Sequence, residues 1–141
     1  MNRWSCLPKA AAIAADVPFE KILEKIGHDG SEILWPDLPG KYQRRSFHTQ
    51  EIVLALLDLG FTATPLYAEM TIGNRLNGRH YVAKTDLTRF LDKKGILIGM
   101  FGNNPHAAAF DSGIIHDPQG SSYPYHDAIR IEEIWLIESN H

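Results

Sequence analysis

A run of small residues near the start of the chain restricts the possible folds more than any other feature. Positions 10–15 hold five alanines and one isoleucine. Alanine is the strongest helix former, and Pro8 just before the run is tolerated in a first helical turn. A helix with such short side chains can be approached closely from several directions. The run therefore predicts a central, tightly packed helix over Cys6–Ala15, with Ser5 as its N-cap.

Two amphipathic helices are predicted to follow. Phe19–Ile26 has apolar residues at the i, i+3, i+4 and i+7 spacing, and Gly27 is suited to end the helix. Thr49 is predicted to cap a third helix that ends at Gly60, with an apolar stripe formed by Ile52, Val53, Leu56, Leu57 and Leu59. The polar segment 28–46 between these helices is predicted to be an ordered loop held by Trp35 and Leu38.

The second half of the chain reads mainly as β-strands. A short helix over Leu87–Lys93, capped by Asp86, is the exception, and Met70–Val82 is predicted to be a loop or irregular hairpin. The apolar run Ile96–Phe101 predicts a central strand covered on both faces. Further strands are predicted at 61–67, 107–111, 114–117 and 129–137. Helices followed by strands indicate a single α+β domain over residues 1–141, with the helices packed on an antiparallel sheet.

Two details of these strands are also predicted. Pro65 favours an edge position, because proline cannot donate a ladder hydrogen bond. The apolar alternation of the last strand slips at Glu132 and Glu133, which indicates a β-bulge there.

The two strands at 107–117 bring chemically useful side chains together. The turn Asp111–Gly113 folds Ile114–Asp117 back along Ala107–Asp111, which sets His106 near Asp117. A carboxylate beside a histidine orients the ring and stabilises its charged form. The hairpin therefore predicts a His–Asp pair that could serve a nucleophile.

The single cysteine is the candidate nucleophile. Cys6 opens the alanine-rich helix, and the N-terminus of a helix stabilises a thiolate through its dipole and free N–H groups. Thiol hydrolases assemble a cysteine, a histidine and an orienting group from separate parts of the chain. The alternative is that Cys6 is an inert buried thiol, His106 a loop residue and Asp117 part of an Asp-Pro turn.

Composition limits the other classes of function. A net charge of −3 gives no electrostatic reason to expect nucleic acid as a partner. One cysteine excludes an internal disulfide and a multi-cysteine zinc site, and it fits a reducing compartment. No apolar stretch is long enough to span a bilayer or to serve as a signal peptide. We therefore expect a cytoplasmic protein with no cofactor, no metal and no membrane partner; the sequence does not indicate an oligomeric state.

Further residues are candidates for the walls of a cleft: Trp4, His28, Asp29 and Trp35. His28 and Asp29, with Glu32, could hold a metal ion or a substrate. The alternative is loop capping, in which Asp29 accepts nearby backbone N–H bonds. We favour loop capping, because no pair of these residues has the helical spacing of a metal site.

The residues around Cys6 and His106 resemble those of the papain-like cysteine peptidases. The cysteine opens a helix of alanines, the histidine is followed by small apolar residues and a turn, and Ile115–Pro118 ends the next strand with Asp-Pro. The resemblance is closest to the group that includes the peptidase domains of bacteriocin exporters, which cleave leader peptides after a double glycine. The segment Gly27–Pro39 also resembles small proteins of phages and bacteria that share this Cys, His and Asp frame.

This resemblance implies a papain-like fold and a role for each residue. Cys6 would be the nucleophile, His106 the general base and then acid, and Asp117 the orienting carboxylate. The family's upstream glutamine, an oxyanion donor, has no counterpart in Met1–Ser5, where Asn2 is the candidate amide. Loss of one such donor costs roughly 3–4 kcal/mol of transition-state stabilisation.

Two functions are therefore predicted. The first is a cysteine peptidase or isopeptidase-like thiol hydrolase, acting on a peptide or protein substrate. The alternative is a weakly active or inactive papain-like module that binds a host or phage protein.

Overall fold

The computed structural model describes residues 6–34, 43–44, 47–68, 81–82, 84–126 and 128–140. Within these residues the chain is an α+β domain, as predicted. Four α-helices and one 3₁₀ segment are described: α1 Cys6–Ala15, α2 Phe19–Ile26, α3 Thr49–Asp58, α4 Lys84–Leu87 and the 3₁₀ turn Thr88–Asp92.

The first two helices have the predicted bounds. Helix α1 contains the alanine run, and α2 ends at Gly27, whose φ of 91° is the left-handed conformation that glycine adopts without steric cost. The predicted cap Ser5 lies outside the described residues.

The start of α3 differs from the prediction. The N-cap is His48 rather than Thr49, and the Glu51 side chain reaches back to accept the His48 N–H at 2.9 Å. This bond belongs to a capping box, in which the side chain at the third helical position accepts the N–H of the cap residue. Leu57, placed on the apolar stripe by its spacing, is 52% exposed, whereas Ile52 and Leu56 are buried.

Nine strands are described: β1 Ile33–Leu34, β2 Gln43–Arg44, β3 Phe61–Ala68, β4 Tyr81–Val82, β5 Lys94–Phe101, β6 Asn104–Asp111, β7 Ile114–His116, β8 Ser122–Pro124 and β9 Ile129–Ser139. Strands β1 and β2 form an antiparallel pair within the segment predicted to be a loop, while its predicted anchors Trp35 and Leu38 lie outside the described residues. The main sheet has the order β4-β3-β9-β5-β6-β7-β8.

The sheet is antiparallel as predicted, apart from β4, which pairs in parallel with the end of β3. Strand β4 lies within the segment predicted as a loop or irregular hairpin, and its two residues are too short a segment to show a strand pattern. Strand β3 lies between β4 and β9, and Pro65 pairs with Trp135 of β9; among the described residues, β4 pairs only with Tyr67 and Ala68. Strand β5 is central, between β9 and β6, as its apolar run predicted.

The predicted helix after β4 also needs correction. It begins at Lys84 rather than Leu87 and continues as a 3₁₀ turn to Asp92. Short segments often tighten into 3₁₀ geometry at a helix end. Its buried residues Leu87 and Leu91 pack on one face of the sheet, in a cluster with Phe110 of β6 and Ile115 of β7.

The opposite face of the sheet carries helices α1 to α3. The alanines of α1 pack against Ala107 and Ala109 of β6, with Ile96 and Trp135 beside them. Alanine on both sides lets the helix axis approach the sheet closely. This contact fixes the N-terminus of α1 near the start of β6.

The predicted bulge in β9 is present. Ile98 pairs with Glu133 but Gly99 pairs with Ile131, so Glu132 is the extra residue. A Cβ atom on Gly99 would meet the Arg130 carbonyl, which explains the glycine at this position. The bulge turns Glu133 to the face that carries Trp135 and the helices.

Candidate active site

Cys6 is the first residue of α1, and its side chain lies where this helix packs on β6. The first N–H groups of a helix have no intrahelical acceptor, so the helix presents free donors here. The thiol interacts with the His106 ring, and this interaction raises the pKa of His106. The structure thus brings together residues that are a hundred positions apart in the chain.

His106 also contacts Asp117, as the hairpin predicted. The His106 Nε2 atom is 3.0 Å from Asp117 Oδ2, and both side chains are largely buried. The β6–β7 ladder ends at the pair Ala109 and His116, and one further step sets Asp117 opposite Ala108. His106 and Ala108 share a face of β6, so Asp117 is a diagonal neighbour of His106.

Because Nε2 is engaged by Asp117, Nδ1 is the ring nitrogen left for Cys6. The hydrogen bond with Cys6 is the main cause that raises the pKa of His106 above its usual 6.5, although burial of the ring acts in the opposite direction. The Asp117 carboxylate raises the pKa further by its charge and its hydrogen bond. The ring of Phe101 packs edge-on against His106, with centroids 5.0 Å apart. His106 is therefore a fixed imidazole whose protonated form is favoured.

Tyr123 is a member of this group that the sequence did not reveal. Its hydroxyl donates to Asp117 Oδ2 at 3.1 Å, the same oxygen that faces His106. Burial raises the pKa of Tyr123 to about 12, with a contribution from the Asp117 charge, so the hydroxyl stays a donor at neutral pH. The Gln119 N–H donates to Asp117 Oδ1 at 2.9 Å. Three donors thus hold the carboxylate.

A cleft of about 640 Å³ opens over these residues. Cys6, His106 and Asp117 lie in its wall. Other wall residues are Leu7 from α1, Thr49 from α3, Ile98 from β5 and Glu133 from β9. Residues from separate helices and strands therefore share one cleft with Cys6.

Two predicted cleft residues, His28 and Asp29, have other contacts. His28 Nε2 is 2.6 Å from Glu51 Oε2, and the Gly30 N–H donates to His28 Nδ1 at 3.0 Å. Asp29 accepts from the Ser31 N–H and hydroxyl, which hold the pKa of Asp29 below its usual value. Neither residue is in the described wall of the cleft. These contacts are the loop-capping arrangement, and they join the loop to α3.

The other predicted site residues, Asn2, Trp4 and Trp35, lie outside the described residues. Within the described ranges, no group of three acidic, histidine or cysteine side chains could hold a metal ion. In the same ranges, no helix has the length and apolar character needed to cross a membrane.

One solved structure shares this architecture across almost its whole length, and it is a peptidase domain. It is the peptidase domain of Streptococcus ComA, a bifunctional ABC transporter involved in a quorum sensing pathway. The TM-score is 0.54 at 15% identity, over 99% of this chain and 94% of that one. No family model and no curated protein matches the sequence. The likeness concerns the fold, an α+β domain similar to a peptidase domain.

Proposed function

We propose that this protein is a papain-like cysteine peptidase, a thiol hydrolase acting on a peptide, isopeptide or related amide bond. The observation that carries the proposal is the position of the His106 ring between the Cys6 thiol and the Asp117 carboxylate. The fold likeness to a peptidase domain supports it. The three side chains come from α1, β6 and the end of β7, and they meet in the wall of one cleft.

In the proposed first step, Cys6 and His106 form a thiolate–imidazolium pair. The sulfur attacks the carbonyl carbon of the substrate and forms a tetrahedral intermediate. The C–N bond then breaks as His106 gives its proton to the leaving amine. The product of this step is a thioester on Cys6 and a free amine.

In the second step, water completes the cycle. The neutral His106 takes a proton from a water molecule, whose oxygen attacks the thioester carbon. The C–S bond breaks, the carboxylic acid leaves, and the thiolate–imidazolium pair is restored. Asp117 holds the ring in one orientation and stabilises its charged form in both steps.

The developing oxyanion needs donors. The Cys6 N–H, at the first residue of α1, is one candidate, since helix N-termini stabilise negative charge. We propose Asn2 as the second donor.

Hydrolysis of p-nitrophenyl acetate tests the proposal without knowledge of the natural substrate. We expect turnover, with an acetyl group detected on Cys6 by mass spectrometry. Cys6→Ala should abolish it, and His106→Ala should lower the rate about 10²–10³-fold. His116→Ala is the matched control, because His116 is bonded to Ser122 and lies on the opposite face of β7.

Equal turnover by the wild type and Cys6→Ala would contradict the proposal. A folded protein whose Cys6 is never acylated would favour the alternative, a non-catalytic binding module.

A further inference from the structure

Glu133 occupies a defined place in the cleft that the proposed reaction does not use. Three residues that line the cleft are neighbours across adjacent strands: Glu133 of β9, Ile98 of β5 and Ala107 of β6. Neighbouring strands are about 4.8 Å apart, so the Glu133 backbone lies about 10 Å from that of Ala107. Ala107 directly follows His106. An extended chain that starts at the Cys6–His106 pair would reach Glu133 in about three residues.

The Glu133 side chain is positioned by a buried neighbour. Its Oε1 accepts the Trp135 indole N–H at 3.1 Å, and Trp135 is 1% exposed. One bond to a fixed donor orients the carboxylate and leaves the second oxygen for another partner. The described ion pairs do not include Glu133, although the adjacent Glu132 is paired with Arg130.

The charge of the cleft is unbalanced. None of the described residues in its wall is lysine or arginine. A Cys6–His106 ion pair would carry no net charge, so two negative charges remain in the wall: Asp117, which three donors hold, and Glu133. Among the described residues, Glu133 has one hydrogen-bond donor and no cationic partner, and it lies in a concave surface, where fields are stronger than on an open one. The neighbouring Ile98 offers an apolar surface to the methylene groups of a lysine or arginine.

We propose that Glu133 forms a binding subsite for a positively charged group of the substrate, a lysine or arginine side chain or a free amine. The inference deepens the proposed function and rests on it. It assigns to Glu133 the selection of cationic peptides over anionic ones, and no part in bond cleavage.

Protection of Cys6 from alkylation tests this subsite. Iodoacetamide labelling is followed by mass spectrometry with increasing pentalysine or pentaglutamate present. We expect pentalysine to slow the labelling at about fivefold lower concentration than pentaglutamate. Glu133→Gln should remove most of this difference, because an exposed or half-exposed charge pair contributes up to about a fivefold change in affinity. The glutamine keeps the acceptor for Trp135.

Glu132→Gln is the matched control. It removes the same charge from the adjacent residue, which is exposed on the bulge and paired with Arg130. It should leave the preference for pentalysine unchanged. A second pair of probes, aminoethyl and sulfonatoethyl methanethiosulfonate, should give the same ranking at Cys6, with the cationic reagent reacting faster relative to a model thiol.

A wild-type protein without preference for the cationic probes would overturn the inference. The inference would also be overturned if Glu133→Gln kept the preference for cationic probes while unfolding like the wild type. The same holds if Glu132→Gln lowered that preference as much as Glu133→Gln does. Failure of the proposed function has a different signature. In that case Cys6 would react with iodoacetamide no faster than a model thiol, whatever the charge preference.

Discussion

His106 Nε2 and Asp117 Oδ2 are 3.0 Å apart, although the two residues are not partners in the β6–β7 ladder. They meet because Asp117 lies one residue beyond β7, on the face of the hairpin that also carries His106. The Asp117 N–H donates to the Ser121 carbonyl at 2.8 Å, which fixes the backbone after the strand. The orientation of the imidazole is therefore determined by backbone structure, before any substrate binds.

Removal of the Asp117 charge should lower the pKa of His106. In Asp117→Asn the amide can still bond the ring, but the attraction between carboxylate and imidazolium is lost. A titration of the His106 ring protons by NMR measures the change. Asp111→Asn, at the exposed far end of β6, is the control and should leave the pKa unchanged. An equal pKa in the wild type and Asp117→Asn would contradict the assigned contact.

Tyr123→Phe should act on His106 through Asp117. Without the hydroxyl, Oδ2 loses a donor and interacts more strongly with the ring, so the pKa of His106 should rise. Loss of a hydrogen bond to a charged group should also lower the free energy of unfolding by about 1.5–3 kcal/mol. Urea denaturation and the same NMR titration measure both effects. Tyr125→Phe is the control for the titration, because the Tyr125 hydroxyl faces the Ile129 carbonyl instead of Asp117.

The raised pKa of His106 predicts how stability depends on pH. Folding favours the protonated ring, so its contribution is fully present below the unfolded pKa of 6.5. The contribution is lost as the pH rises from 6.5 through the folded pKa. Urea denaturation at several pH values should show the advantage of the wild type over His106→Asn shrinking across this window. An advantage that grows with pH would contradict the assignment.

Gly99→Ala tests the close contact at the bulge. The new methyl group would meet the Arg130 carbonyl, so the strands must separate or the bulge must shift. We expect a loss of about 3 kcal/mol in the free energy of unfolding. Gly102→Ala is the comparison, since space is open there and its φ of 66° alone should cost about 1 kcal/mol. Equal losses of unfolding free energy in the two variants would show that the contact with the Arg130 carbonyl does not determine the cost of Gly99→Ala.

Elements with a strong local signal were predictable. The alanine run defined α1, the i, i+3, i+4 pattern and Gly27 defined α2, and the apolar run of β5 required a central strand. The bulge in β9 was visible because apolar alternation slips at Glu132. The His106–Asp117 contact followed from a hairpin whose turn is local in sequence.

Other features depend on contacts that no local pattern encodes. Tyr123 meets Asp117 because β8 pairs with β7, and a tyrosine in a polar loop carries no periodic signal. His48 is not a usual N-cap; its role depends on Glu51, which the His28 ring also contacts. Glu133 reaches the cleft only once the bulge has turned it toward the helices. Sequence patterns thus located Cys6, His106 and Asp117, while long-range packing determined which further residues share the cleft with them.

Alkylation of Cys6 by iodoacetamide at pH 5.5 tests the central claim most directly. A thiolate held by the charged His106 should be labelled at least tenfold faster than a model thiol, because a free thiol is almost fully protonated there. His106→Ala should bring the rate down toward that of the model thiol, while His116→Ala should not. Labelling of the folded wild type no faster than the model thiol would contradict the account.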